Sequence, residues 1–256
     1  RHLEDGCLPI LHSIQREEAI HYHVTAFATL EKGPISAKRL RGSEWQASYL
    51  NTGGHMLTPE EIEKLKDSTE AEMHGREEET VCCVRVEAVN TGGTPAYAWF
   101  KAPQFKHDGV NGFSAFASGR VLCVNRLDGK PLPQNEMAVL VQPGRTVVLD
   151  MIMPHQAVSP ERARKLAQLD FDEHLEACRA FWKEKLAGAA AISVPEAAID
   201  ERIKAGLLHC DLVTLGKKSE GPLLATIGQY SPIGSESSPI IQFFDSMGWH
   251  DVAERC

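Results

Sequence analysis

The period of hydropathy changes once along this chain, and that change limits the folds open to it. Up to about residue 153 the apolar residues recur at every second position, the signature of strands. In 20–30, Ile20, Tyr22, Val24, Ala26, Ala28 and Leu30 share one face, and His21, His23, Thr25, Phe27 and Thr29 share the other. In 80–89, Cys82, Val84, Val86 and Ala88 oppose Arg85 and Glu87. Further runs lie at 96–101, 113–117, 120–125, 136–141 and 146–153, with a weaker one at 43–50. Gly- and Pro-marked turns separate them, among them Gly33-Pro34, Asn90-Thr-Gly-Gly-Thr-Pro95, Leu127-Asp-Gly-Lys-Pro131 and Gln142-Pro-Gly-Arg145. The Asn90 turn predicts a hairpin between the strands on either side of it. Roughly seven or eight short strands divided this way predict an antiparallel β-sandwich.

One helix interrupts the strands. Thr58 as N-cap, Pro59 at the first position and Glu61 three residues past the cap predict a helical insertion over about 58–74. Beyond Ser159 the period becomes helical. Ser159 caps a short helix with Pro160 in its first turn. Residues 169–188 place Leu175, Cys178, Trp182 and Leu186 at helical spacing, with Gly188 as terminator. Pro195 opens another helix with Ile199, Ile203, Leu207, Cys210 and Val213 or Thr214 as its buried stripe. A polar loop follows, and helix resumes around Ile240. The fold class expected is multidomain, β then α: a sandwich over 1–158, a helical linker over 159–193, and one antiparallel helical hairpin over 194–256. Cys256 falls inside a helical pattern, so the chain is expected to be part of a longer protein.

The formal net charge of −8 argues against nucleic acid as a partner, because phosphate backbones need a basic footprint. No run of about 18 apolar residues occurs, so no transmembrane helix is expected. The seven Cys are odd in number and show no Cys-x-x-Cys spacing, which reads as buried thiols rather than a disulfide or zinc framework. No nucleophile elbow, phosphate loop or dinucleotide fingerprint is present. No cofactor and no metal are expected.

A few residues have chemistry to offer. His21 and His23 project together from one strand, but no third ligand is placed near them. Tyr97 and Trp99 lie on one side of their strand, where they either pack into a core or form a stacking platform for sugar rings. Tyr230 precedes an acidic residue, Glu236, which is flanked by Ser235, Ser237 and Ser238 at a helix N-terminus. A carboxylate there is stabilised by the helix dipole, whether it caps the helix or binds a ligand.

The order of sandwich, helical linker and helical hairpin resembles the bacterial six-hairpin glycosidases. Three stretches carry the likeness. A Trp-containing helix leads into Ile192-Ser-Val-Pro-Glu196, Tyr230-Ser-Pro-Ile-Gly-Ser-Glu236 forms a loop, and Phe244–Arg255 reads as a helix–Gly–helix junction. The resemblance implies an (α/α)6 barrel whose cavity binds an oligo- or polysaccharide, and two carboxylates that cleave it. Those carboxylates usually come from later hairpins, so the catalytic residues are not assigned here and the piece alone is expected to be inactive. Tyr230, Ser235 and Glu236 become the implied substrate-positioning residues. This stretch has no Arg, where such enzymes often place an Arg-Asp pair. A secreted or periplasmic location is favoured over a cytoplasmic one. The alternative is a non-catalytic carbohydrate-binding or structural β-sandwich, with Tyr97 and Trp99 as its stacking surface.

Overall fold

The computed structural model describes residues 1–36, 60, 63, 77–103, 105–216, 220–227 and 234–256. It is mainly antiparallel sheet followed by a few helices. The expected strand at 43–50 lies outside the described residues. So does the expected helix at 58–74, apart from Glu60 and Glu63.

The described chain divides into two compact units. The first comprises Arg1–Glu4, Ile10–Pro34 and Glu78–Arg179, and the second includes Asp5–Pro9 and Ala180–Cys256. The chain starts with β1 (His2–Glu4), β2 (Leu8–Glu17) and β3 (Ile20–Leu30), then β4 (Thr80–Asn90) and β5 (Ala96–Lys101). Next come β6 (Lys106–Asp108), β7 (Phe113–Ala115), β8 (Val121–Leu127) and β9 (Lys130–Pro131). The strands of this region end with β10 (Glu136–Val141) and β11 (Thr146–Pro154). A nine-stranded sheet runs in the order β1-β2-β3-β4-β11-β8-β7-β6, with β9 attached to β8, while β5 and β10 pair separately. Ile20 and Tyr22 of β3, Ala88 of β4 and Leu149 of β11 join Ala98 and Phe100 of β5 and Val141 of β10 in one buried apolar cluster.

The expected hairpin across the Asn90 turn does not form. Both edges of β4 are occupied, by β3 and by β11, so β5 turns away and pairs with β10. Asn90 makes the corner. Fully buried, its side-chain amide donates to the carbonyls of Thr94 and Val141, each at 2.8 Å, and its side-chain oxygen accepts from the Gly92 N–H at 2.9 Å. A buried amide satisfied on both ends fixes one path for the chain.

The single buried face expected for β3 is also revised. Its first half buries Ile20 and Tyr22, but its second half buries Phe27 and Thr29 on the opposite face. The cause is a helix. After α1 (Pro160–Leu166), the helix α2 (Phe171–Ala187) brings Phe171 edge-on to Phe27 at 5.1 Å. His174 Nδ1 and Thr29 Oγ1 share a hydrogen bond of 2.7 Å. β4 shows the same inversion, with Val81 and Cys83 buried and Cys82 exposed. Ser159 caps α1 as expected, its side chain accepting from the Arg162 N–H at 3.3 Å.

In the second unit, α3 (Ala197–Leu212) is followed by a small ribbon of β12 (Thr214–Leu215) and β13 (Leu224–Ala225), then by α4 (Gly234–Ser246) and α5 (His250–Arg255). The expected stripe of α3 is only partly buried. Leu207 and its neighbour Leu208 are covered, whereas Ile199 is exposed. Gly248, at φ 80°, takes the left-handed conformation that lets α4 reverse into α5. Trp249 stacks on Phe244 at 5.9 Å. The Lys185 ammonium lies 5.4–5.5 Å from the rings of Phe181, Trp182 and Trp249 and pairs with Asp211.

Candidate functional site

The β5–β10 ribbon presents two faces. Ala98 and Phe100 point into the core, so the residues between them must point out. Tyr97 and Trp99 are 59% and 60% exposed, which settles the choice between core packing and an open surface in favour of the surface. Two positions along a strand are roughly 7 Å apart, so the rings stand side by side.

The partner strand extends this face. Leu140 is directly opposite Tyr97 and Ala138 opposite Trp99, and Leu140 is 47% exposed. Lys101 and Glu136, also opposite one another, close one end with an ion pair of 2.8 Å. The Trp99 N–H donates to the Tyr22 hydroxyl at 2.9 Å, which anchors the backbone under the indole to β3. Hence a broad apolar surface, two rings wide, stands on a ribbon fastened from beneath. Alternation in 136–141 was enough to place Leu140 on a strand face. The cross-strand register that sets it beside Tyr97 was not readable from either strand alone.

Ser235 and Glu236 lie in the first turn of α4, and both are exposed. Tyr230 lies outside the described residues, so no geometry joins it to them. The residue fixed in this stretch is Ser237, which is buried and donates to the Ala225 carbonyl at 2.7 Å. That bond ties the start of α4 to β13. His21 and His23 are half-buried, and the cross-strand neighbours of His23 are Ile14 and Glu87.

Compared with family models, curated proteins and solved structures, the chain matches none.

The remaining chemistry is limited by burial. No disulfide joins the seven cysteines, and the expectation of buried thiols fails at Cys82, which is exposed. Burial drives the Cys83 thiol far above its ordinary range and pushes Cys123 up to about 12, so neither supplies a thiolate near neutral pH. Among the described residues no group of three or more His, Cys, Asp and Glu is gathered for a metal. One cleft, in the first unit, includes Asp108, and another, in the second, includes Asp251. Neither of these two is lined by a pair of carboxylates.

Proposed function

We propose that this chain is the sugar-binding N-terminal part of a carbohydrate-active enzyme, in which a β-sandwich precedes the first hairpin of an (α/α) barrel. The observation that carries the reading is the exposed pair Tyr97 and Trp99 on the β5–β10 ribbon. Aromatic faces suit pyranose rings, whose C–H groups pack against π surfaces while the hydroxyls stay in water. Leu140 widens the apolar ground, and the Lys101–Glu136 pair borders it with hydrogen-bonding groups. The shared core of the nine-stranded sheet and the ribbon supports the sandwich. The barrel, and hydrolysis of an oligo- or polysaccharide by the parent protein, rest on the resemblance of 170–256 to six-hairpin glycosidases.

Within this reading the ribbon binds, and chemistry belongs to carboxylates not assigned in this chain. Tyr230, Ser235 and Glu236 retain a proposed role as substrate-positioning residues of the parent protein. The test is glycan binding by the chain and by Trp99→Ala. Stacking of one ring is worth about 1 kcal/mol, so affinity for a bound polysaccharide is expected to fall roughly fivefold to tenfold. Unchanged affinity in that variant rejects the platform.

A further inference from the structure

A cleft of about 210 Å³ opens in the first unit beside β6 and β7. Its apolar lining includes Phe113, Ala115, Phe116, Val121 and Pro160. Lys106 from β6 and Arg164 from α1 line the same cleft. Both are exposed, and neither forms an ion pair with a described residue. In a chain of net charge −8, two cations lining one cleft, neither of them ion-paired to a described residue, need an explanation.

The acid that lines the cleft is already engaged. Asp108 accepts from the N–H groups of Val110 and Asn111 at 3.0 and 3.4 Å, and from the Asn111 side-chain amide at 2.6 Å. It therefore holds its own turn while keeping its charge, and the cleft carries two cations against one carboxylate. The turn itself is rigidly seated. The Gly112 carbonyl accepts from the Asn125 N–H at 2.8 Å and from its side-chain amide at 2.9 Å. A Cβ on Gly112 would lie 2.3 Å from the Asn125 oxygen, and one on Gly109 would lie 2.1 Å from the Pro133 oxygen. The edge of Phe116 is fixed against Phe105 at 5.0 Å. The wall is thus preformed rather than waiting for a ligand to order it.

We propose that this cleft is a subsite for a carboxylate-bearing sugar, a uronate ring, with Lys106 and Arg164 on the carboxylate and Phe116 against the ring. The name of the ligand class rests on the carbohydrate reading above. The cation pair selects a carboxylate, since charge-assisted bonds from Arg and Lys are the strong ones. The volume is below the range of about 300–1,000 Å³ usual for drug-sized ligands, which fits a single ring.

The test titrates the protein and its K106Q/R164Q variant with sodium glucuronate by NMR, with glucose and acetate as comparisons. Exposed, unpaired side chains leave stability nearly unchanged when replaced, and circular dichroism checks the fold. Glucuronate is expected to bind more tightly than either comparison, and to lose about tenfold or more in affinity in the double variant. Glucose binding as well as glucuronate, acetate binding as well as glucuronate, or an unaltered double variant each overturns the proposal. Trp99→Ala is expected to bind glucuronate normally. Loss of polysaccharide binding in that variant therefore reports on the ribbon, and loss of glucuronate binding in the double variant reports on the cleft.

Discussion

Asp150 is a buried carboxylate on β11 that accepts two bonds from Arg85 of β4, at 2.7 and 3.1 Å. Arg85 also donates to Asp172 at 2.8 Å and lies 4.0 Å over the Phe171 ring. Burial alone would lower the Arg85 pKa, but the two carboxylates outweigh it and hold it above its ordinary value. Removing Asp150 leaves Arg85 with only the exposed Asp172 as its counterion among the described residues. Asp150→Asn is therefore expected to cost about 3 kcal/mol in urea unfolding. Asn90→Ala abandons the buried Val141 carbonyl, the Thr94 carbonyl and the Gly92 N–H, and about 2 kcal/mol is expected there by the same measurement. Neither residue was legible as structural. Arg85 read as the polar face of a strand, and Asn90 read as a hairpin turn residue. Asn90 also bonds Thr94 and Gly92 nearby, but the partners that tie these residues into the fold, Asp150 and Val141, lie at least 50 positions away, where spacing rules have no reach. Tyr97 and Trp99 were legible as a pair, because period two fixes their common side. Which side faced water depended on the ribbon they joined.

At the scale of elements, local chemistry was readable wherever the partner was local. Ser159 and Pro160 start α1 as expected, and Ser159→Ala is expected to cost about 1 kcal/mol. Asp128 and Gly129, at φ 47° and 75°, form the two-residue turn between β8 and β9, where Leu127 pairs with Lys130. Both central residues at positive φ mark a type I′ turn. The sequence offered Asp-Gly there, yet the two-residue strand that follows was too short to show a period. β1 has a longer reach. Its Glu4 carboxylate receives Arg179 of α2 at 2.9 Å and lies 3.0 Å from His12 Nε2. The Arg179 hydrogen bonds, foremost, lower the Glu4 pKa from 4.5 to about 2. A carboxyl depressed in the folded state adds stability that is full above its unfolded pKa and is lost as pH falls toward the folded one. Stability is thus expected to drop between about pH 5 and pH 2, by on the order of 2 kcal/mol from this group. Glu4→Gln should flatten that part of the pH–stability curve measured by thermal unfolding.

Across the whole molecule, the acidic balance carries its own expectation. Duplex DNA and single-stranded RNA should give no mobility shift at physiological salt, because a net charge of −8 opposes a phosphate backbone. The change from period two to helical period marked the passage from sheet to helices within a few residues. The sequence was silent on which strands became neighbours, since alternation describes a strand and not its partner.

The order of strands has a consequence for how the chain is made. β11 is the last strand of the large sheet to be synthesised, yet it sits between β4 and β8. Until Pro154 leaves the ribosome, β4 and β8 each keep an open edge, and sequence-distant pairings of this kind form slowly. A nascent chain stalled near residue 145 is expected to clump or to recruit a holdase chaperone. One released after residue 158 can seal its central seam. Synthesis rate through that interval, more than any single contact, should govern the yield of soluble protein.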